Sequence, residues 1–234
     1  MALMLYFRNY KIKNMKIITT IATLLFTVSF LFAQEFSVKY EVNFESNNPE
    51  VQGQLFMLQG STLQIYSKDN LSRVEMKMGG LMQTTTISDL TKGEGVMIMD
   101  GMMGKQAATF NNLEEEQEDD AEESMDIELV DETKEILGHT CKKAVVYGED
   151  DTEMIYWYTE EVAVKEGALG QYSNSQIPGL PLEFSIKLPE MTMTFVATEF
   201  SKKLKKSKEL FNLSIPEGYT EISIEQLQSI GGGM

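Results

Sequence analysis

His139, Cys141 and Trp157 are the only His, Cys and Trp of this chain, and all three fall in one short stretch. On an extended segment, residues two apart share a face, so His139 and Cys141 could meet as base and thiol. Nucleophilic catalysis also needs an oriented base and an oxyanion site, and nothing near the pair supplies either signature. A zinc site of the usual composition needs further His or Cys residues, and the chain has none. The sequence therefore assigns no catalytic residue, no metal ligand and no cofactor, and the expectation is a protein that is not an enzyme. For a single cysteine in an exported chain, burial as a small apolar residue is the ordinary role.

Methionine is the other chemical oddity. Met76, Met78, Met82, Met97, Met99, Met102 and Met103 crowd the first half. Thioethers are soft ligands suited to Cu(I), and His139 and Cys141 could join them. The spacing of Met76/Met78 and Met97/Met99 instead matches side chains on one face of a strand, and methionine lines adaptable apolar cores and pockets. From Glu114 to Glu123 all residues but Gln117 and Ala121 are acidic. Carboxylates can capture calcium, but the Asp/Asn-and-Gly spacing of an ordered calcium loop is missing. A flexible insertion over 114–125 is expected. The lysine-rich stretch Lys202–Lys208 reads as a solvated strand end or turn.

The elements that must position these residues are short strands. Ile136–Tyr147 and Thr152–Tyr158 flank a Gly148–Asp151 turn, which is a hairpin signal, and its two strands are expected at the centre of the sheet. Gly138 marks a bend or a close approach, and Trp157 a packing anchor. Phe36, Val38, Tyr40, Val42 and Phe44 alternate with polar residues, as a half-buried strand does. Val51–Leu58, Thr62–Ser67, Arg73–Met78, Met82–Ile87, Val96–Met99 and Lys105–Phe110 continue the series. Leu182–Leu188 and Met191–Phe200 add two more strands. Ile177–Pro181 is read as a bent connection and Thr159–Lys165 as a short helix or extended edge. Ser223 and Gln226 fit a capping box that opens a terminal helix. Even spacing with turn residues between strands argues for an antiparallel meander or barrel.

Residues 1–33 read as a secretory signal peptide. Arg8, Lys11, Lys13 and Lys16 precede an apolar run to Phe32, with cleavage near Ala33; Met15 is an alternative start to Met1. A periplasmic or secreted location follows. Residues 34–230 are expected to form a single β-rich domain, with 231–234 as a tail. The leader takes four basic residues with it, and the remainder keeps all 36 Asp+Glu of a chain whose net charge is already −16. Such a charge excludes nucleic acid and anionic membrane surfaces as main partners.

Ile136-Leu137-Gly138 leading to Cys141-Lys142-Lys143, the aromatic strand with Trp157, Gly179-Leu180-Pro181-Leu182-Glu183, and Leu210-Phe211 leading to Ile215-Pro216-Glu217-Gly218-Tyr219 together resemble a family of exported Gram-negative proteins. That family is related in fold to the LolA/LolB lipoprotein carriers and includes proteins named for a Gly-Leu-Pro-Gly-Leu-Ile motif. This chain departs from it in having Leu182 after Leu-Pro, and in the acidic run. The resemblance implies a mainly β fold, a strongly curved antiparallel sheet forming a half-open barrel with a few short helices. It also implies carriage of a hydrophobic ligand, a lipid or lipoprotein acyl chain, in the cavity of that half-barrel. The cavity candidates are Phe44, Phe56, Met76, Met78, Met97, Met99, Trp157, Phe184 and Phe195. The alternatives are an envelope interaction module without a small ligand, whose partner is an envelope protein, and a periplasmic metal binder using Cu(I) or calcium.

Overall fold

The computed structural model describes residues 35–111, 126–148, 153–172, 174 and 176–231. The leader, the acidic insertion and residues 232–234 of the expected tail lie outside the described residues, and Gly231 ends a helix instead of beginning the tail.

Alternation dictates the first strand, β1 (Glu35–Glu45), in which Phe36, Val38, Tyr40 and Val42 are buried and their neighbours are not. The chain then forms a short helix, α1 (Pro49–Leu55), and a 3-10 turn over Phe56–Leu58, in place of the expected strand. The reason is local. Asn48 caps the helix by accepting from the Glu50 N–H at 3.0 Å, and Pro49 pre-sets the first helical φ. Five strands follow as a meander: β2 (Thr62–Lys68), β3 (Leu71–Met78), β4 (Met82–Asp89), β5 (Glu94–Gly101) and β6 (Gly104–Asn111).

The second half supplies β7 (Asp126–Ile136), β8 (His139–Tyr147), β9 (Glu153–Thr159), β10 (Leu180–Lys187) and β11 (Thr192–Ser201). A one-turn helix, α2 (Ser207–Leu210), the two-residue β12 (Thr220–Glu221) and helix α3 (Ile224–Gly231) complete it. The capping box forms as expected: Gln226 N–H donates to Ser223 Oγ at 3.3 Å, and Ser223 N–H to Gln226 Oε1 at 3.2 Å. Of Thr159–Lys165, Thr159 ends β9 and the rest is neither helix nor edge strand but the start of a long connection.

Twelve strands among the described residues form one sheet, in the order β12-β6-β5-β4-β3-β2-β1-β11-β10-β9-β8-β7. Every pairing is antiparallel except that of β12 with β6, and the two ends of the sheet do not pair with each other. The sheet is mainly β, curved and not closed: a half-open barrel.

Two expectations change here. The hairpin of β8 and β9 is not central; β7 is the edge strand and β8 its neighbour. Strand β7 escapes the sequence reading because it buries almost nothing and carries no clean alternation. Its bulge between Val130 and Thr133 and its many carboxylates suit an edge that must not pair further. Likewise Pro181 lies within β10, not before it. The ladder shifts register between Pro181 and Glu183, so the missing N–H falls at an irregularity. Gly138 serves the two-residue turn between β7 and β8, where Leu137 and Gly138 both have positive φ, 52° and 78°.

The inner face carries the main core. One row runs in register through Ala144, Tyr156, Phe184, Phe195 and Val42. The connection 160–179 folds across this face and packs Val162, Leu169 and Ile177 into the same core. It is fastened by Ser72 Oγ donating to the Ala168 carbonyl at 2.7 Å. On the outer face, Ile87 and Val96 are covered by Phe211 together with Leu204, Leu210 and Leu213 from the C-terminal segment.

Candidate functional site

Strand register divides the inner face into two chemically different halves. In one half, Phe184 stacks on Phe195 with centroids 4.3 Å apart and on Tyr156 at 5.7 Å, and Tyr172 of the covering connection leans on Phe195 at 5.4 Å. Tyr40 stands edge-on to Phe184 and donates its hydroxyl to the Pro181 carbonyl at 2.6 Å. Burial pushes the Tyr40 phenol far above its ordinary range. This half is filled with rings.

The other half is built of thioethers and threonines. Tyr40, Leu63, Met76, Thr84, Met99 and Gln106 face one another across successive strands, and the next row holds Val38, Ile65, Val74, Thr86, Met97 and Ala108. Met78 pairs directly with Met82. The cover over this half is α3, whose Leu227 packs among Met82, Met99 and Ala108. Leu227 is the one fully buried side chain that α3 contributes among its described residues. Gln106 Oε1 is buried here with no hydrogen-bond partner among the described residues. An unpaired buried acceptor costs free energy unless something donates to it.

Seven of the nine cavity candidates thus share the inner face: Phe184 and Phe195 among the rings, with Phe44 at the strand end, Met76 in the main core, and Met78, Met97 and Met99 beside α3. The structure does not bring in the other two. Phe56 stands on the β1–β2 connection with 73% of its surface exposed. Trp157 is on the opposite face of β9 from Tyr156, with Lys134 Nζ 4.6 Å and Lys143 Nζ 5.8 Å from its ring centroid. Sequence reasoning missed Thr84, Thr86, Gln106 and Leu227; period-2 counting from Met82 finds the threonines, and only the tertiary cover reveals Leu227.

A cleft of about 180 Å³ lies between Val164–Leu169 and Ile177–Pro181. A wider, more open groove of about 430 Å³ lies between Glu45–Asn48 and Lys187–Thr192. Sites that enclose drug-sized ligands span roughly 300–1,000 Å³ and are mostly apolar.

The unique pair does not assemble as base and nucleophile. His139 Nδ1 pairs with Glu161 at 2.8 Å, and its ring stands edge-on to Phe200. The Cys141 thiol points at the His139 carbonyl at 3.7 Å, and burial pushes its pKa up to about 11. Cys141 is fully buried, as expected of a packed cysteine. Five strands lie between β8 and β3 in the sheet, so these two residues do not join the methionines. Among the described residues no group of three or more His, Cys, Asp or Glu is placed to hold a metal.

A prediction follows from the thiol. Unfolded, it ionises from about 9; folded, it holds its proton to about 11. The unfolded state therefore loses its proton first, and stability falls as pH rises through that window. Denaturation midpoints of Cys141→Ala will decline less between pH 8.5 and 11 than those of the parent chain. Parallel declines would contradict the burial of the thiol.

The fold and inner face define a class: a half-open antiparallel barrel with a covered apolar interior. The family model described as "N-glycanase peptide, N-terminal domain" matches residues 93–211, half of the chain, and the chain belongs to that family. No curated protein matches it. Among solved structures, PNGF-II in its C2 crystal form matches with 17% identity and a TM-score of 0.50, over 86% of this chain and 33% of that one. This chain therefore spans about a third of PNGF-II, and at that identity the likeness concerns the fold. An uncharacterized conserved protein from Thermus thermophilus matches with 13% identity and a TM-score of 0.48, covering 87% of this chain and 99% of that one. The Mycobacterium tuberculosis lipoprotein LppX gives 9% identity and a TM-score of 0.36, covering 72% and 88%. The last two scores fall below the level at which a shared fold can be argued. The relation to the Gly-Leu-Pro-Gly-Leu-Ile proteins rests on the sequence motifs alone.

Proposed function

We propose that this chain is a non-catalytic exported protein that holds the apolar part of a lipid, or a lipoprotein acyl chain, on the inner face of its half-barrel. One observation carries the reading: Met76, Met78, Met82, Met97 and Met99 share one face of β3–β5, and a helix anchored by a single fully buried leucine packs over Met82 and Met99. Methionine is flexible and polarizable, and suits a surface that must repack around a chain of variable shape. None of these methionines lines either described cleft, so uptake requires α3 to move aside. Gln106 Oε1 would accept from a hydroxyl or amide of the ligand.

Titration with a fluorescent polyene fatty acid tests this. Saturable one-to-one binding is expected, and Met99→Asp, which sets a carboxylate into the thioether row, will weaken it at least tenfold while the β-sheet circular dichroism stays unchanged. Equal binding by both chains would remove the inner face from the account.

A second reading is favoured by the ring-filled half of the same face, which leaves no room for a ligand there. On it the chain is an envelope interaction module, as befits a family whose model describes the N-terminal domain of a longer protein. That reading expects no saturable binding of the fatty acid.

A further inference from the structure

Two connections at one end of the sheet expose large apolar side chains, and a third lies between them with its Leu81 half-buried. Phe56 is 73% exposed and Met57 55% exposed on the β1–β2 connection; Met102 is 82% and Met103 67% exposed in the β5–β6 turn. The β3–β4 turn lies between them and joins them. Gly79 of that turn has a φ of 52°, its N–H donates to Ser61 Oγ at 2.9 Å, and a Cβ there would collide with the Met57 carbonyl oxygen. On its other side, Gly101 pairs with Met82, and a Cβ on Gly101 would come within 3.3 Å of the Leu81 carbonyl. Phe56, Met57, Leu81, Met102 and Met103 therefore form one rim.

We infer that this rim inserts into the surface of a zwitterionic phospholipid bilayer. Charge is the first argument. Leu55–Ser61, Met78–Met82 and Gly101–Gly104 contain no charged residue, in a chain with 36 Asp+Glu and a net charge of −16. An uncharged rim can enter a neutral bilayer, whereas an anionic one repels the remainder of the chain. Shape is the second. The exposed side chains stand on connections and line neither described cleft, so a fluid phase accommodates them where a folded partner would need matching pockets. Size is the third: five side chains fall short of the roughly 20–30 residues a side of a stable protein interface. The rim also continues into the inner face, because Met78 and Met82, at the base of the β3–β4 turn, belong to the row under α3. Contact at the rim would bring the bilayer to the edge of that face. The purpose of the contact, though not its existence, rests on the reading of the inner face as an acyl-chain site.

Flotation with phosphatidylcholine vesicles tests it, using residues 34–234, which contain every described element and lack the apolar leader. The parent chain is expected to float, and the triple variant Phe56→Ser, Met102→Ser, Met103→Ser to lose at least tenfold of the vesicle-bound fraction. Fatty-acid titration of the same variant in solution is expected to match the parent, which separates failure of the rim from failure of the inner-face site. Equal flotation of the two chains, or no flotation of the parent, overturns the inference. So does a parent dimer in sedimentation that the triple variant dissolves, since the rim would then cover a second copy.

Discussion

Replacing Phe195 by alanine will lower the unfolding free energy by about 3–5 kcal/mol, the range for removing a fully buried aromatic ring. Phe195 is completely buried, stacks on Phe184 with an interplanar angle of 8°, and receives Tyr172 from the 160–179 connection. Three effects add. The ring's transfer from water is lost, a cavity opens beneath the connection, and two aromatic pairs worth about 0.5–1.5 kcal/mol each disappear. The loss will appear as a lower urea midpoint with an unchanged slope. Phe56→Ala, at a site 73% exposed, will change the unfolding free energy by no more than about 0.5 kcal/mol. Comparable losses at both positions would show that the ring row is not the core.

The second large effect concerns binding. Leu227→Asp will raise apparent affinity for an apolar chain, because the helix it anchors competes with ligand for the methionine face. Burying a leucine side chain contributes about 1.5–3 kcal/mol, and each 1.4 kcal/mol is tenfold in an equilibrium constant. If only the uncovered state binds, releasing α3 removes that penalty. An upper bound is thus roughly tenfold to a hundredfold tighter binding, read by fatty-acid titration. Leu227 packs in a small cluster separate from the main core, so the sheet should stay folded. Weaker binding by the variant would mean that α3 forms part of the site instead of covering it.

How much of this was legible in the sequence depends on which physical signal each element carries. Strands β1 and β2 announce themselves because one face is buried and the other is not, as in Phe36–Phe44. The helix α1 was misread because Val51, Leu55 and Met57 look strand-like until the Asn48–Pro49 cap is weighed. Strand β7 was unreadable because its pairing is held by backbone hydrogen bonds to β8 and hardly by burial. The methionine row was half legible: spacing of two places Met76 and Met78, and Met97 and Met99, each on one face. Only the β3–β4 and β4–β5 registers put the two pairs on the same face. Trp157 is a cavity candidate only through the resemblance, and alternation from Tyr156 sends it to the other side. Phe56 followed the error in α1.

The central claim is that the thioether half of the inner face holds an apolar chain. Native mass spectrometry of the protein purified from its own host tests it most directly. The account predicts a bound mass in the range of a lipid, removed by organic extraction and missing from Met99→Asp expressed in the same host. A clean apo mass for both chains would contradict it, and would leave the half-barrel as an interaction module with a closed core.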